Sequence, residues 1–220
     1  MHIRTYVDNL LVEHPRNHHI WVDGIYVKRF RNHPLEMLNI LGGKKVSTQR
    51  RRFLTELGKN HILQEANILV PNIIKADYTS LSIIFENIGP FNYNTIYVNS
   101  NQEERSAIRL QLYGLLRQIH EAGVVHGDPQ LRNFVKAIDQ PAITDLEADW
   151  MYNDGHLLDL IALSADMFAY DEHKMDLLGD LERNYGRFKS RGVPLQMQQY
   201  YRTGYNVTDE FLHFFDANRQ

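Results

Sequence analysis

The chain has no cysteine, which excludes disulfide frameworks, thiolate zinc sites and cysteine nucleophiles together. It also lacks a long apolar run: Ile83 to Phe85 and Leu160 to Leu163 fall far short of the ~20 residues that span a bilayer. The opening MHIRTYVDNL has none of the positive, apolar and small-residue order of a secretory signal, so a cytoplasmic protein is expected. Internal repeats and low-complexity tracts are missing too. Hydrophobic residues make up 43% and charged residues 23% of the 220 positions, which excludes fibrous and disordered classes and leaves one domain or two closely joined lobes.

Charge is unevenly placed. Residues 1–110 hold 14 Lys+Arg against 10 Asp+Glu, and residues 111–220 hold 10 against 17, within a formal net charge of -3. A basic half beside an acidic half suits a polyanion held on one side and metal ions on the other, although ordinary mixed surfaces would give the same balance.

Strand and helix signals then alternate. A strand is expected near Leu10 to Glu13, and Asp23-Gly24 between IWV and IYVKRF marks a two-residue hairpin turn. The basic loop LGGKKVSTQRRRF, from Leu41 to Phe53, leads into a helical pattern through Leu54, Leu57, Ile62 and Leu63. Val70-Pro71 ends it, and residues 72–74 and 81–86 read as two more strands. The segment IGPFNYNTIYVNS that follows reads as a connection, rich in Asn, Gly and Pro. Beyond it Ile108, Leu112, Leu115, Leu116 and Ile119 share one helical face, with Ser100 and Glu103 as a candidate capping box and Gly123 as a stop. Short apolar pairs at 124–125, 134–135 and 142–143 precede helical patterns over 156–170 and 171–185.

The chemistry is concentrated in VVHGDPQLRNFVKAIDQPAITDLEADW, from Val124 to Trp150. Asp128 is followed five residues on by Asn133, and Asp145 closes a short apolar strand. Phosphoryl transfer from ATP needs a carboxylate near the acceptor hydroxyl and oxygen ligands for Mg²⁺, and a carboxylate, an amide and a second carboxylate supply those parts. Asp and Asn also favour plain turns, but that reading requires the whole pattern to coincide.

This spacing resembles the catalytic loop of protein kinases, in which an Asp, an Asn and a later metal-binding Asp follow one another. Lys28 in IYVKRF lies where such a fold places the lysine that meets the ATP phosphates. Glu56, 28 residues later, is its natural ion-pair partner, with Glu65 the other carboxylate in the region. Asp159-Leu160 lies where these folds keep a buried Asp that braces the loop. HGD in place of HRD resembles the small non-eukaryotic-type kinases: aminoglycoside and choline phosphotransferases, the small kinase of the tRNA-modification complex, and the lipopolysaccharide core kinases. The combination GDP, then NF, then a strand ending in Asp-Leu looks most like the lipopolysaccharide core heptose kinases. The similarity covers residues 20–205 in element order and residues 124–147 closely.

The resemblance implies an α+β, protein-kinase-like two-lobed fold, with an N-terminal lobe over 1–90 and a helical catalytic lobe over 91–220. It gives Asp128 as the catalytic carboxylate, Asn133 and Asp145 as Mg²⁺ ligands, and Lys28 as the contact to the α and β phosphates with Glu56 as its partner. Glu86, Asn87 and Ile88 would meet adenine through backbone groups, and His126 would pack beneath the loop. The implied activity is ATP- and Mg²⁺-dependent phosphorylation of a sugar hydroxyl, in particular a lipopolysaccharide core heptose. The acceptor would be an anionic sugar or glycolipid, met at the inner membrane face, with no nucleic acid involved. An atypical serine/threonine protein kinase with a protein substrate, or a pseudokinase that only binds nucleotide, are the alternatives.

Several residues depart from that pattern or carry other readings. No GxGxxG precedes Lys28, since HPRNHH offers no glycine, and Leu146-Glu147 follow Asp145 where Phe-Gly is usual. Only Asp149 to Asp154 separate that site from the next helix, too few for an activation loop. Lys44, Lys45, Arg50, Arg51 and Arg52 are either a solvated helix start or a grip for an anionic acceptor. Among eleven histidines, His14, His18 and His19 read as an exposed loop rather than a metal site, because Glu13 is their one local carboxylate. Tyr201, Tyr205 and Phe211 have the spacing of core helices.

Overall fold

Gly24 has φ +79°, the sign a tight hairpin turn requires. It joins β1 (His19–Val22) to β2 (Ile25–Arg29), which pair antiparallel with Val22 opposite Ile25. The structure, a computed structural model, describes residues 19–22, 24–30, 49–138, 140–148, 155–171, 174–185, 209–211 and 213. The expected strand at 10–13, His14, His18, Asp23, Lys44, Lys45, the 149–154 connection, Tyr201 and Tyr205 lie outside the described residues.

β2 is followed by α1 (Gln49–Glu65), β3 (Ile73–Asp77) and β4 (Ser82–Glu86), and the strands form one antiparallel sheet in the order β1-β2-β4-β3. β4 lies between two neighbours, and its run Ser82, Ile83, Ile84 and Phe85 is buried throughout, as a strand covered on both faces must be. α1 covers one face of the sheet, where Phe53 packs with Phe30, Ile83 and Phe85. The inward face of α1 differs in part from the one its leucines suggest. Leu54 and Ile62 are exposed, whereas Phe53, Glu56, Asn60 and Leu63 are buried. Half of that inward face is polar, Glu56 meeting Lys28 and Asn60 donating to Pro71 O at 3.0 Å. So of the four apolar positions in the pattern Leu57 and Leu63 point inward and Leu54 and Ile62 do not.

The segment expected to be a plain connection contains α2 (Tyr93–Asn99). Asn92 caps it, its Oδ1 accepting from Thr95 N at 3.0 Å, and Tyr93 and Tyr97 are buried. An Asn that reads as a turn residue is here an N-cap, the other role its side chain serves. α3 (Gln102–Glu121) does open on a capping box, one residue later than expected. Asn101 Oδ1 accepts from Glu104 N at 3.0 Å, and Glu104 Oε2 accepts from Asn101 N at 2.8 Å. Gly123, with φ +78°, ends the helix as expected.

A small hairpin of β5 (Phe134–Lys136) and β6 (Pro141–Ile143) follows, then α4 (Gly155–Phe168) and α5 (Lys174–Tyr185). The larger core gathers α3, α4 and α5 with Phe211 and extends back to Leu63, Ile68 and Val70. The end of α1 and the turn after it therefore rest on the helical part, while the rest of α1 rests on the sheet. Among the described residues no helix is long and apolar enough to cross a membrane.

Candidate active site

Each candidate side chain is placed by an element whose local reason is visible. Lys28 points from β2 into the space under α1 and is 2% exposed. Its Nζ donates to Glu56 Oε2 at 2.9 Å and to Asp145 Oδ1, and Glu147 Oε2 lies 3.2 Å away. Glu65 takes no part: it lies on the surface beside His61. Burial alone would drive the Lys28 ammonium toward its neutral form, but Glu56, Asp145 and Glu147 outweigh it and raise its pKa well above the usual lysine value. Three carboxylates about one ammonium leave an excess of negative charge. Glu56 bears that excess: burial raises its pKa against the pull of Lys28, and Asp145 and Glu147 add to the rise. Glu56, Asp145 and Glu147 each bring an oxygen within 4.8 Å of the others, a set that suits a hard cation.

Asp145 follows β6 with φ +62°, a conformation costly for a residue with a side chain and typical of sites whose surroundings enforce it. The enforcement comes from His126. Its Nε2 faces Thr144 O at 3.0 Å, and its Nδ1 accepts from Asp128 N at 3.0 Å. A backbone carbonyl at one nitrogen and a backbone N–H at the other require the neutral Nε2–H tautomer. Complete burial agrees, lowering the His126 pKa to about 4. His126 thus joins the residue before Asp145 to the peptide of Asp128.

The loop that carries Asp128 hangs from α4. Asp159 accepts from His126 N at 2.6 Å and Gly127 N at 2.7 Å, and faces His120 Nε2 at 3.0 Å. This is the brace expected of Asp159. Asp166, seven residues on and on the same helical face, accepts from Leu131 N at 2.8 Å, a support the sequence reading missed. Asn133 Nδ2 donates to Asp128 O at 2.7 Å and to Asp128 Oδ2 at 3.3 Å, so its amide oxygen is the atom left to meet a cation. Arg132, on the same turn, lies 3.6 Å from Asp128 Oδ2.

A cavity of about 130 Å³ lies between these groups and the sheet, bordered by Tyr26, Glu86, Ile88 and Val135 and opening to Asn133 and Asp145. Glu86, Ile88 and Asp145 therefore border the same cavity. The Glu86 carboxylate turns outward to Asn72, whose Nδ2 donates to it at 2.7 Å. The Glu86 and Asn87 N–H groups already donate to Asn72 O and Gly24 O, each at 2.9 Å. Gly89 is a requirement the sequence reading missed: a Cβ there would lie 2.3 Å from Lys136 O. Only glycine lets this segment run so close to β5.

The basic cluster divides. Arg50 and Arg51 border an open depression on α1 with Leu54 and Thr55, whereas Arg52 turns inward and pairs with Glu147.

No known family's sequence profile matches the chain, and no curated protein matches it by sequence. Solved structures do match by fold. One, described as WaaP in complex with acyl carrier protein, aligns with a TM-score of 0.54 at 16% identity, over 91% of this chain and 86% of that one. The fold of this chain is accordingly the α+β, kinase-like fold seen in WaaP, with its small antiparallel sheet and helical region.

Proposed function

We propose that the protein is an ATP- and Mg²⁺-dependent phosphotransferase acting on a sugar hydroxyl, with a lipopolysaccharide core heptose as the acceptor. The observation that supports it best is that Asn133 and Asp145 line the same cavity as Glu86 and Ile88, while the Asn133 amide is bonded to Asp128. In this reading residues 1–90 and 91–220 form the two lobes, and the adenine meets the 86–88 segment through its peptide groups. With the Glu86 and Asn87 N–H groups engaged elsewhere, the Ile88 peptide is the donor for the base.

The donor set fits the metal. Asn133 has an amide oxygen to offer, Asp145 a carboxylate, and the surplus negative charge around Lys28 calls for a cation. Bound Mg²⁺ would neutralise charge on the β and γ phosphates. Lys28 keeps its charge at any physiological pH and holds the α and β phosphates, with Glu56 fixing its direction.

Asp128 receives the proton of the acceptor hydroxyl as that oxygen forms its bond to the γ-phosphorus. The bond from phosphorus to the bridging oxygen breaks, and ADP leaves with that electron pair. Asn133 and Arg132 hold the Asp128 carboxylate in position. An anionic acceptor at the inner membrane face suits the exposed Arg50 and Arg51 of α1.

Transfer of labelled γ-phosphate from Mg-ATP into a cell extract tests this, with glycolipid and protein separated. Label is expected in glycolipid, with Asp128→Asn slower by roughly 10²–10⁴-fold, the usual contribution of a positioned general base. Label in protein alone would make the chain a protein kinase. Binding of Mg-ATP with no transfer from either form would make it a nucleotide-binding module.

A further inference from the structure

Three polar residues of α1, Arg52, Glu56 and Lys59, stand at i, i+4 and i+7 and so share one helical face. Each contacts residues of the candidate site. Arg52 pairs with Glu147, and Glu56 holds Lys28, which in turn reaches Asp145 and Glu147. Lys59 Nζ donates to His126 O at 3.0 Å and to Ala148 O. The backbone after the strained Asp145, at Ala148, and the carbonyl two residues before Asp128 are therefore held by one helix.

We infer that this face of α1 is a latch that sets the working position of residues 145–148 and of the Asp128 loop, with Lys59 as its central positioning residue. The inference rests on the phosphotransferase reading for what is positioned, but the latch itself stands on the contacts.

The face is polar where core packing would want it apolar, while Phe53 and Leu63 anchor the helix separately in the two hydrophobic clusters. Lys59 is the one donor among these contacts that meets both backbone stretches, so it fixes their separation, which no ion pair to a single side chain could do. The carbonyl it takes from His126 belongs to the residue whose ring pins Thr144 and Asp128. A shift of α1 would thus move the lysine's partner, the strained carboxylate and the loop together.

Lys59→Met keeps most of the apolar stem and removes the donor, and Lys59→Arg restores one. Amide hydrogen exchange of the full chain is measured over residues 126–128 and 144–148, with kcat and KM for ATP measured alongside. Lys59→Met is expected to speed exchange in both stretches by tenfold or more, leave α3 unchanged, and lower kcat at least tenfold with KM for ATP within threefold. Lys59→Arg should recover most of both. Arg52→Gln, a second arm should Lys59→Met fold poorly, should loosen 144–148 more than 126–128. Unchanged exchange in these variants overturns the latch, as does loosened exchange with undiminished kcat. Should wild type fail to bind Mg-ADP, the phosphotransferase reading falls, and the exchange data decide the latch regardless.

Discussion

His126 reports on its surroundings through its proton. Its imidazole is buried, neutral and committed at both nitrogens, with a pKa lowered to about 4, against ~6.5 in the unfolded chain. A folded pKa below the unfolded one means that the unfolded state binds the extra proton between these values. The stability His126 contributes is complete above pH ~6.5 and is lost as pH falls toward 4, by up to about 3 kcal/mol. Urea unfolding at pH 7 and pH 4.5 should show a larger loss for wild type than for His126→Gln; equal losses would mean that the imidazole charges freely in the fold. The residue was read from the HGD motif as packing beneath the loop, and it does so. Its bond to Thr144, which ties it to the Asp145 segment, could not be read there, because 18 residues separate the two and only folding brings them together. Gly89 was hidden for a similar reason: its need appears only when β5 lies against it.

The helical elements are joined by buried charge as well as by apolar packing. Arg109 on α3 is fully buried and donates to Asp180 of α5 at 2.5 Å and to Asp171 at 3.0 Å. Tyr97 of α2 donates to both Asp171 oxygens at 2.8–2.9 Å. Removing the cation would leave the buried Asp171 without its ion-pair partner and Asp180 with Arg183 alone, at a cost of roughly 3–5 kcal/mol. Arg117 on the same helix pairs with Glu121 in solvent and contributes about 0–1 kcal/mol. Arg109→Leu should therefore lower the urea midpoint severely or prevent folding, and Arg117→Leu should barely move it. Similar losses for both would place the weight of α3 on its apolar stripe alone. That stripe was legible, since Ile108, Leu112, Leu115, Leu116 and Ile119 repeat as a buried face must. The ion network was not, since charged residues on a helix are usually solvated. The apolar pattern of α1 was a partial guide for the opposite reason, because Leu57 and Leu63 face inward but share that face with Glu56 and Asn60.

The cleft draws its walls from the sheet on one side and from the Asp128 loop and β5 on the other, so a ligand that fills it joins the two. Mg-ADP at one hundred times its Kd should add about 2.7 kcal/mol to stability. At ~2–4 °C per kcal/mol for a chain of this size, Tm should rise by roughly 5–10 °C. Differential scanning fluorimetry measures this directly, and no shift with Mg-ADP would count against a nucleotide in the cleft. The uneven charge of the two halves finds a local form here, with the basic residues 28 and 52 paired to the acidic residues 145 and 147.

Local order in this protein is written in short-range pattern. Hairpin, capped helices and the Asp128–Asn133–Asp145 spacing all depend on residues within a few turns of one another, and elementary geometry decides them. The kinase-like outline could be inferred because those local pieces occur in one order along the chain. Which carboxylate meets Lys28, which arginine turns inward, and how Lys59 joins two distant backbone stretches depend on pairs separated by 28 to 117 positions. Such pairs leave no periodic trace. They are chosen when burial removes water and each charge must find the nearest partner the fold has brought to it.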